Sequence, residues 1–345
     1  MRKLSKISVA IAALSLVLAG CGDDGDDGGG NGDTKAGTEV KVGLAYDVGG
    51  RGDQSFNDAA AAGLDKAKDE YKVESQESEA SDGEPESARE ERLIQMAEAG
   101  YNPVVAVGFA YAPAITKVAP QFPDTQFGLI DSEDAKGDNI ANLVFTEHEG
   151  SFLVGVAAAL KTKTKNVGFV GGVNVPLIKK FEAGYMAGVK AVDPTIKVQS
   201  TYLTQPPDFS GFGDPAKGRT AAEGMFDGGA DVVYHAAGGS GLGVFQAAKA
   251  AKGLGIGVDS DQYNTVPDDL KPVVMTSMLK KVDVAVFDYI KSFVDGETQS
   301  GPVVFDLEAG GVDYSKTGGQ VDDIADQLDE YKEKIISGEI TVPSE

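Results

Sequence analysis

From residue 41 onward the chain alternates short apolar runs with amphipathic or alanine-rich stretches. The runs at 41–46, 103–108, 126–130 and 141–146 read as buried strands, with a weaker one at 72–75. Between them, 57–70, 86–98 and 112–119 carry helical spacing, and Leu93, Ile94, Met96 and Ala97 lie close to one helical face. This rhythm predicts βαβ units and a mainly parallel sheet in an α/β fold. A second series starts near Gly150. It reads as a helix from Ser151 to Leu160, then strand 166–171, helix 176–191, strand 197–203, helix 216–227, strand 231–236, helix 241–252 and strand 255–258. Two series predict two lobes. No Pro/Ser-rich linker lies at 147–150, so the lobes are expected to join by short direct crossings. The tail (strand 272–276, helix 282–295, strand 302–307, helix 321–336) holds too few elements for a core of its own and is expected to complete the two lobes.

The N-terminus departs from that rhythm. Arg2, Lys3 and Lys6 precede a short apolar stretch, Ile7 to Leu18, which is too short for an ordinary membrane-spanning helix. It ends in Leu18-Ala19-Gly20-Cys21, which resembles the lipobox of bacterial lipoproteins, with 1–20 as signal peptide and Cys21 as the lipidated residue. Cys21 is the only cysteine, so no intramolecular disulfide is possible. Residues 21–38 are rich in Gly and Asp and read as a flexible acidic tether. The expected location is therefore the extracytoplasmic face of the cell membrane, held there by lipid. The formal net charge of -23 argues against a nucleic-acid partner, because phosphate binding needs basic surface.

Candidate chemistry gathers where strands end. Tyr46 to Asn57, YDVGGRGDQSFN, is a strand–loop–helix junction with glycines, carboxylates, an amide and one ring. Ligands of open α/β sheets sit beyond the carboxyl ends of strands. Phe56 among Asp47, Asp53, Ser55 and Asn57 suits a small molecule with a flat face and polar edges, or else the loop is a turn whose acids and amide cap backbone groups. Asp231 to Val244, DVVYHAAGGSGLGV, is a second strand–glycine–helix junction, with Asp259 placed 20 positions after Gly239. Its glycines depart from the dinucleotide pattern, but a carboxylate there can accept two hydroxyl donors. Lys280 and Lys281 precede a helix and oppose its dipole, so each needs solvent or an anionic partner. Phe209 and Phe212 put two rings in a loop, as cleft-edge rings or as loop anchors.

Three motifs are set aside. Arg51-Gly52-Asp53 spells an adhesion tripeptide, but it lies in the strand–helix loop. His148 and His235 are the only histidines and lack the spacing of a zinc site. No general acid/base pair or nucleophile elbow stands out, so neither an enzyme nor a cofactor is expected.

Several segments together resemble the basic membrane protein (BMP) family of ABC-transporter substrate-binding lipoproteins, which includes purine nucleoside receptors. They are VGLAYDVGGRGDQSFNDAAAAGL, FGLIDS, FTEHEGSFLVGVAAAL, VGFVGG with PLIKKFEAGYMAGV, DVVYHAAGGSGLGVF, GVDSDQ and TSMLKKVD, in family order from Val42 to Asp283. The resemblance implies a type I periplasmic-binding-protein fold: two Rossmann-like lobes with parallel sheets joined by a three-crossing hinge. The expected lobes are 39–147 plus 277–300 and 148–276 plus 301–345. It also implies a nucleoside closed between the lobes and passed to a permease with its ATPase, by a chain expected to be a monomer. Phe56 and Phe212 resemble the rings that sandwich the base. Asp47 and Asn57 match positions that meet the base or its polar edge, with Asp131 nearby. Asp259 and Lys280 match positions that hold the ribose hydroxyls, with Gly239 and Ser240 in the wall. Gln205 to Asp208, QPPD, looks like an insertion ahead of Phe212. A receptor for a sugar or other small metabolite, and a sensory lipoprotein without transport, share the same fold.

Overall fold

The apolar runs become the inner strands of two six-stranded sheets. The computed structural model describes residues 40–345; the expected signal peptide, tether and lipidated Cys21 lie outside the described residues. The first series forms β1 (Lys41–Tyr46), α1 (Phe56–Tyr71), β2 (Glu74–Glu79), α2 (Glu86–Glu98), β3 (Val104–Ala106), α3 (Ala112–Val118), β4 (Phe127–Ile130) and β5 (Ile140–Phe145). The second forms α4 (Glu147–Lys161), β6 (Asn166–Val173), α5 (Pro176–Val192), β7 (Lys197–Thr204), α6 (Pro215–Asp227), β8 (Val232–Ala236), α7 (Gly241–Ala251), β9 (Leu254–Asp259) and the single-turn α8 (Gln262–Thr265). The tail adds β10 (Val274–Lys280), α9 (Val282–Val294), β11 (Gly301–Phe305), β12 (Val312–Tyr314) and α10 (Ala325–Ile336).

The first sheet runs β11-β5-β4-β3-β1-β2 and the second β12-β10-β9-β8-β6-β7. The strands pair in parallel except for β12, which runs antiparallel to β10. β3, β4 and β5 are buried on both faces, as continuous apolar runs in a parallel sheet should be. β2, ESQESE, contains no apolar residue and is half-buried between exposed ends. Ladder pairing with β1, from Lys41↔Glu74 to Tyr46↔Glu79, makes it a strand, which is why apolar patterning registered only its weak beginning at 72–75.

The tail is shared between the lobes, with boundaries that differ from those expected. β10 lies in the second sheet beside β9, with Met278 opposite Val258. The chain then crosses so that α9 packs on α1, and β11 pairs with β5 at the edge of the first sheet. It crosses again to place β12 beside β10 and α10 against α4. The expected boundary put 277–280 in the first lobe and 301–305 in the second; pairing reverses both. A continuous apolar run such as VVMTSML does not reveal which of two sheets it joins.

Three crossings therefore connect the lobes, at Thr146, Lys281 and Asp306, and they are bonded to one another and to their surroundings. Thr146 N donates to Phe305 O at 3.3 Å, Lys281 N to Gly311 O at 2.8 Å, and Leu307 N to Glu149 Oε2 at 3.1 Å. Thr146 Oγ1 also donates to Glu149 Oε2 at 2.7 Å. The hinge is a bonded bundle of short strands.

Below the hinge, α4 and α5 pack at glycine contacts. A Cβ at Gly155 would lie 2.3 Å from Tyr185 O, one at Gly184 2.1 Å from His148 O, and one at Gly188 2.0 Å from Phe152 O. Gly188→Ala is accordingly expected to lower stability by about 1–3 kcal/mol through overpacking, read as a lower midpoint of urea unfolding. Gly224→Ala, where a Cβ meets nothing within 4 Å on α6, is expected to gain about 0.5–1 kcal/mol from helix propensity.

Candidate functional site

A cavity opens between the lobes, lined by residues of both. Strand ends supply most of its chemistry: Asp47 follows β1, Gly108 and Phe109 follow β3, Asp131 follows β4, Ala236 ends β8, Asp259 ends β9 and Lys280 ends β10. Helix N-termini supply the rest, with Phe56 and Asn57 opening α1 and Leu177, Ile178 and Phe181 on the first turns of α5. Phe212 arrives on a single 3₁₀ turn, Ser210–Phe212, and lies so close to Gly172 that a Cβ there would meet its ring at 2.5 Å. Of the residues singled out from sequence, Asp47, Phe56, Asn57, Asp131, Phe212, Asp259 and Lys280 line this one space.

At one end sit Asp47, Asn57 and the rings of Phe109 and Phe212. Asp53 organises this end without an acceptor to spare: Oδ1 takes the backbone N–H of Ser55 at 2.9 Å and of Asp58 at 3.1 Å, and Oδ2 takes Asn57 N at 2.9 Å and Asn57 Nδ2 at 3.1 Å. Burial pushes the Asp53 carboxyl up, against those donors. Asn57 Oδ1 in turn accepts Asp47 N at 3.1 Å. Asp47 Oδ1 accepts Val48 N at 2.8 Å and lies 3.6 Å from the buried Arg89 guanidinium. Its Oδ2 faces Gly108, where a Cβ would intrude to 2.4 Å. Burial raises the Asp47 carboxyl to about 6, opposed by Val48 N and Arg89.

The other end is ionic. Lys280 is 2% exposed, and its Nζ donates to Asp131 Oδ2 at 2.6 Å and lies 3.6 Å from Glu147 Oε1. The rings of Phe56, Phe145 and Phe181 stand 5.0, 5.1 and 5.5 Å from the same nitrogen. Burial alone would pull the lysine down, but Asp131, Glu147 and Asp259 together hold it above its ordinary value. Burial lifts Asp259 to about 6, with Lys280 and the Ser55 hydroxyl opposing. Asp131 Oδ1 is buried and has no partner. Asp131 and Asp259 both occupy the left-handed backbone region, at φ 70° and 63°.

The lobes touch around the cavity. Ser55 Oγ donates to Asp259 Oδ2 at 2.7 Å, Ser260 Oγ donates to Ser55 O at 2.8 Å, and Gln262 Nε2 donates to Gln54 O at 3.1 Å. On the ring side Phe109 meets Phe209 and Phe212 edge-on, at centroid distances of 6.0 and 6.5 Å. The cleft is closed in this structure.

Gly239 and Ser240 are not lining residues; Gly238 is. The Ser240 hydroxyl faces inward, donating to Gly211 O at 2.7 Å and accepting Asp214 N at 2.8 Å, so it fixes the loop that carries Phe212. Sequence reasoning missed Phe109 and the α5 cluster. Phe109 had the same signal as Asp47, a position just past an apolar strand, and Leu177, Ile178 and Phe181 form an i, i+1, i+4 apolar group at a helix start. Arg51 pairs with Asp65 and Glu77, and Asp53 is buried, so the tripeptide is not displayed for adhesion. His235 is fully buried and depressed to about 4 by that burial. Among the described residues no group of three or more His, Cys, Asp or Glu side chains is arranged to hold a metal, and no helix is long and apolar enough to cross a membrane.

The comparisons agree on one family. The model of the Bmp family, described as ABC transporter substrate-binding protein PnrA-like, matches residues 40–345. The chain is 34% identical over 366 residues to the ABC transporter nucleoside-binding protein BmpA of Lactococcus lactis, covering 99% of this chain and 100% of that one. It is 36% identical over 327 residues to an uncharacterized lipoprotein of Pyrococcus abyssi, covering 91% of this chain and 77% of the relative. Among solved structures, an ABC-transporter solute-binding protein of Aeropyrum pernix superposes with a TM-score of 0.77 at 31% identity, over 89% of this chain and 94% of that one. With two parallel-rich lobes closing on one cavity, the chain belongs to the Bmp (PnrA-like) family of ABC-transporter substrate-binding proteins and has the type I periplasmic-binding-protein fold.

Proposed function

We propose that this protein captures a nucleoside, a purine in preference, between its lobes and delivers it to an ABC permease and its ATPase without altering it. One observation carries the reading: a single cavity has aromatic rings with an acid–amide pair at one end and a buried lysine among carboxylates at the other. The base lies between Phe56 and Phe212, with Phe109 beside them and its polar edge on Asp47; Asn57 mainly holds Asp47 in place. The ribose hydroxyls donate to Asp131 and Asp259, and Lys280 donates to a ribose oxygen. Gly238, in place of Gly239 and Ser240, forms the wall. The name of the Lactococcus lactis relative supports a nucleoside. The lipoprotein relative supports anchoring through Cys21 outside the membrane. A monomer suffices, because one chain supplies both walls.

A thermal-shift panel of nucleosides, free bases and sugars tests this, since a ligand of the folded state raises its apparent stability. Purine nucleosides are expected to raise the melting temperature, with ribose and adenine alone doing little; a larger shift with ribose than with guanosine or adenosine would refute the reading.

Hydrogen bonds to charged groups are worth about 1.5–3 kcal/mol each, so 2′-deoxyguanosine is expected to bind at least about 10-fold more weakly than guanosine. Asp259→Ala is expected to lose about 100-fold or more in calorimetric affinity while still unfolding cooperatively. Unchanged affinity would remove Asp259 from the site.

Acid affects binding and folding oppositely here. Asp47 and Asp259 must be ionised to accept, so affinity is expected to fall as pH drops below about 6. Their folded-state values lie above the unfolded ones, so the folded protein binds more protons in that window. Their contribution to stability is greatest at low pH and is lost as pH rises through about 6. The melting temperature of the wild type, relative to Asp259→Asn, should therefore climb on acidification while affinity declines.

A further inference from the structure

Glu147 is 1% exposed, and its Oε2 is buried with no hydrogen-bond partner. Two ammonium groups approach without bonding it well: Lys280 Nζ at 3.6 Å from Oε1, and Lys180 Nζ at 3.8 Å from Oε2, on a side chain 40% exposed. Lys280 instead gives its short bond, 2.6 Å, to Asp131. The two carboxylates differ in lobe. Asp131 follows β4 of the first sheet, whereas Glu147 opens α4, which packs on β10 and α5 of the second lobe, where Lys280 also resides. Glu147 and Lys280 each adjoin a hinge crossing, at Thr146 and Lys281. Any hinge motion that parts the lobes must lengthen Lys280–Asp131, while Lys280 and Glu147 travel together.

We propose that Glu147 is the positioning residue for Lys280, holding its ammonium when the lobes part and yielding it to Asp131 when they close. In the closed form Glu147 is left with a buried, poorly bonded carboxyl. Burial raises it to about 7, Lys280 opposes, Asp131 adds to the rise and Lys180 opposes weakly. Taking the ammonium on opening strengthens the opposing charge and favours the ionised form. Closure therefore takes up a proton, and mild acid favours the closed clamp.

The other charged groups around Glu147 do not replace this exchange. From β9, Asp259 shares the Lys280 ammonium and is bonded to Ser55. From α4 itself, Glu149 is committed to Thr146 and Leu307, and His148 is held below its ordinary value by burial. Lys180 on α5 stays in the same lobe whether the clamp is open or closed.

The ligand arm of the test rests on the nucleoside reading; the ligand-free arm does not. In the first, guanosine and inosine are titrated calorimetrically in two buffers of different ionisation heat. Wild type should take up protons on binding, with affinity rising by up to about tenfold per pH unit from about pH 8 to about 6.5. In the second, small-angle scattering follows the ligand-free protein over the same range, and its radius of gyration should shrink on acidification. Glu147→Gln should abolish both responses and leave the closed form populated at every pH, since the open form has lost the lysine's partner. Asp131→Asn, should the first variant not fold, keeps Lys280 on Glu147 and should hold the clamp open with a flat pH response. A pH response of the radius that is absent in wild type, or undiminished in either variant, overturns the proposal. Failure of both nucleosides to bind, with the scattering response intact, would instead sink the nucleoside reading.

Discussion

A buried ammonium needs a countercharge, and the site is arranged around how Lys280 obtains one. Its Nζ lies inside a cage of three rings with Asp131 at 2.6 Å and Glu147 at 3.6 Å. Leaving such a charge unpaired in the interior costs several kcal/mol. Asp131 lies across the cleft from it, so in the closed form this ion pair ties the two lobes at one point. It also orients the strand ends β4, β9 and β10 toward one another, because their terminal side chains share one charge. Asp131 and Asp259 both hold left-handed backbone where their strands end.

The opposite end of the cavity is built by another rule. Asp53 spends every strong acceptor position on the backbone of its own loop and on Asn57, so it is a loop former. Asn57 passes the constraint on by accepting Asp47 N. The outcome is that Asp47 Oδ2 remains the uncommitted acceptor beside the rings, in space kept open by Gly108. The two readings that the sequence left open for YDVGGRGDQSFN divide between different residues. Asp53 does the capping, and Asp47 with Phe56 faces the cavity.

Most of this was legible from the pattern of apolar runs, and the gaps have physical causes. Strand ends were found because the inner parallel strands are apolar runs that stop abruptly at the cleft; Asp47 and Asp259 were read from that feature, Lys280 from its place ahead of a helix, and Asp131 only from the family resemblance. β2 was half missed because ladder hydrogen bonds make it a strand without any apolar residue. The lobe membership of 277–280 and 301–305 was misread because pairing partners are set by crossings, which leave no trace in local hydropathy. Ser240 was placed in the wall by the family resemblance, whereas its hydroxyl turned inward to hold the Phe212 loop. Glu147 gave no signal: a single acid at a helix start reads as ordinary dipole compensation until the structure shows that it is buried beside Lys280.

Charge balance bears on which solutes the cavity admits. Lys280 already faces three carboxylates, Asp131, Glu147 and Asp259, so the ionic end is negative even with one of them protonated. A phosphate brought there would add negative charge to a buried cluster in which carboxylates already outnumber the Lys280 ammonium. The chain's net charge of -23 repels the same solutes before they arrive. Hydroxyl groups face the reverse situation. They bring protons to under-used acceptors, including the unpartnered Asp131 Oδ1, and relieve an imbalance that the protein alone leaves in place. Under the proposed nucleoside reading, such a site discriminates by what it lacks as much as by what it offers: a neutral polyhydroxyl group on a flat ring suits it better than the phosphorylated form of the same molecule.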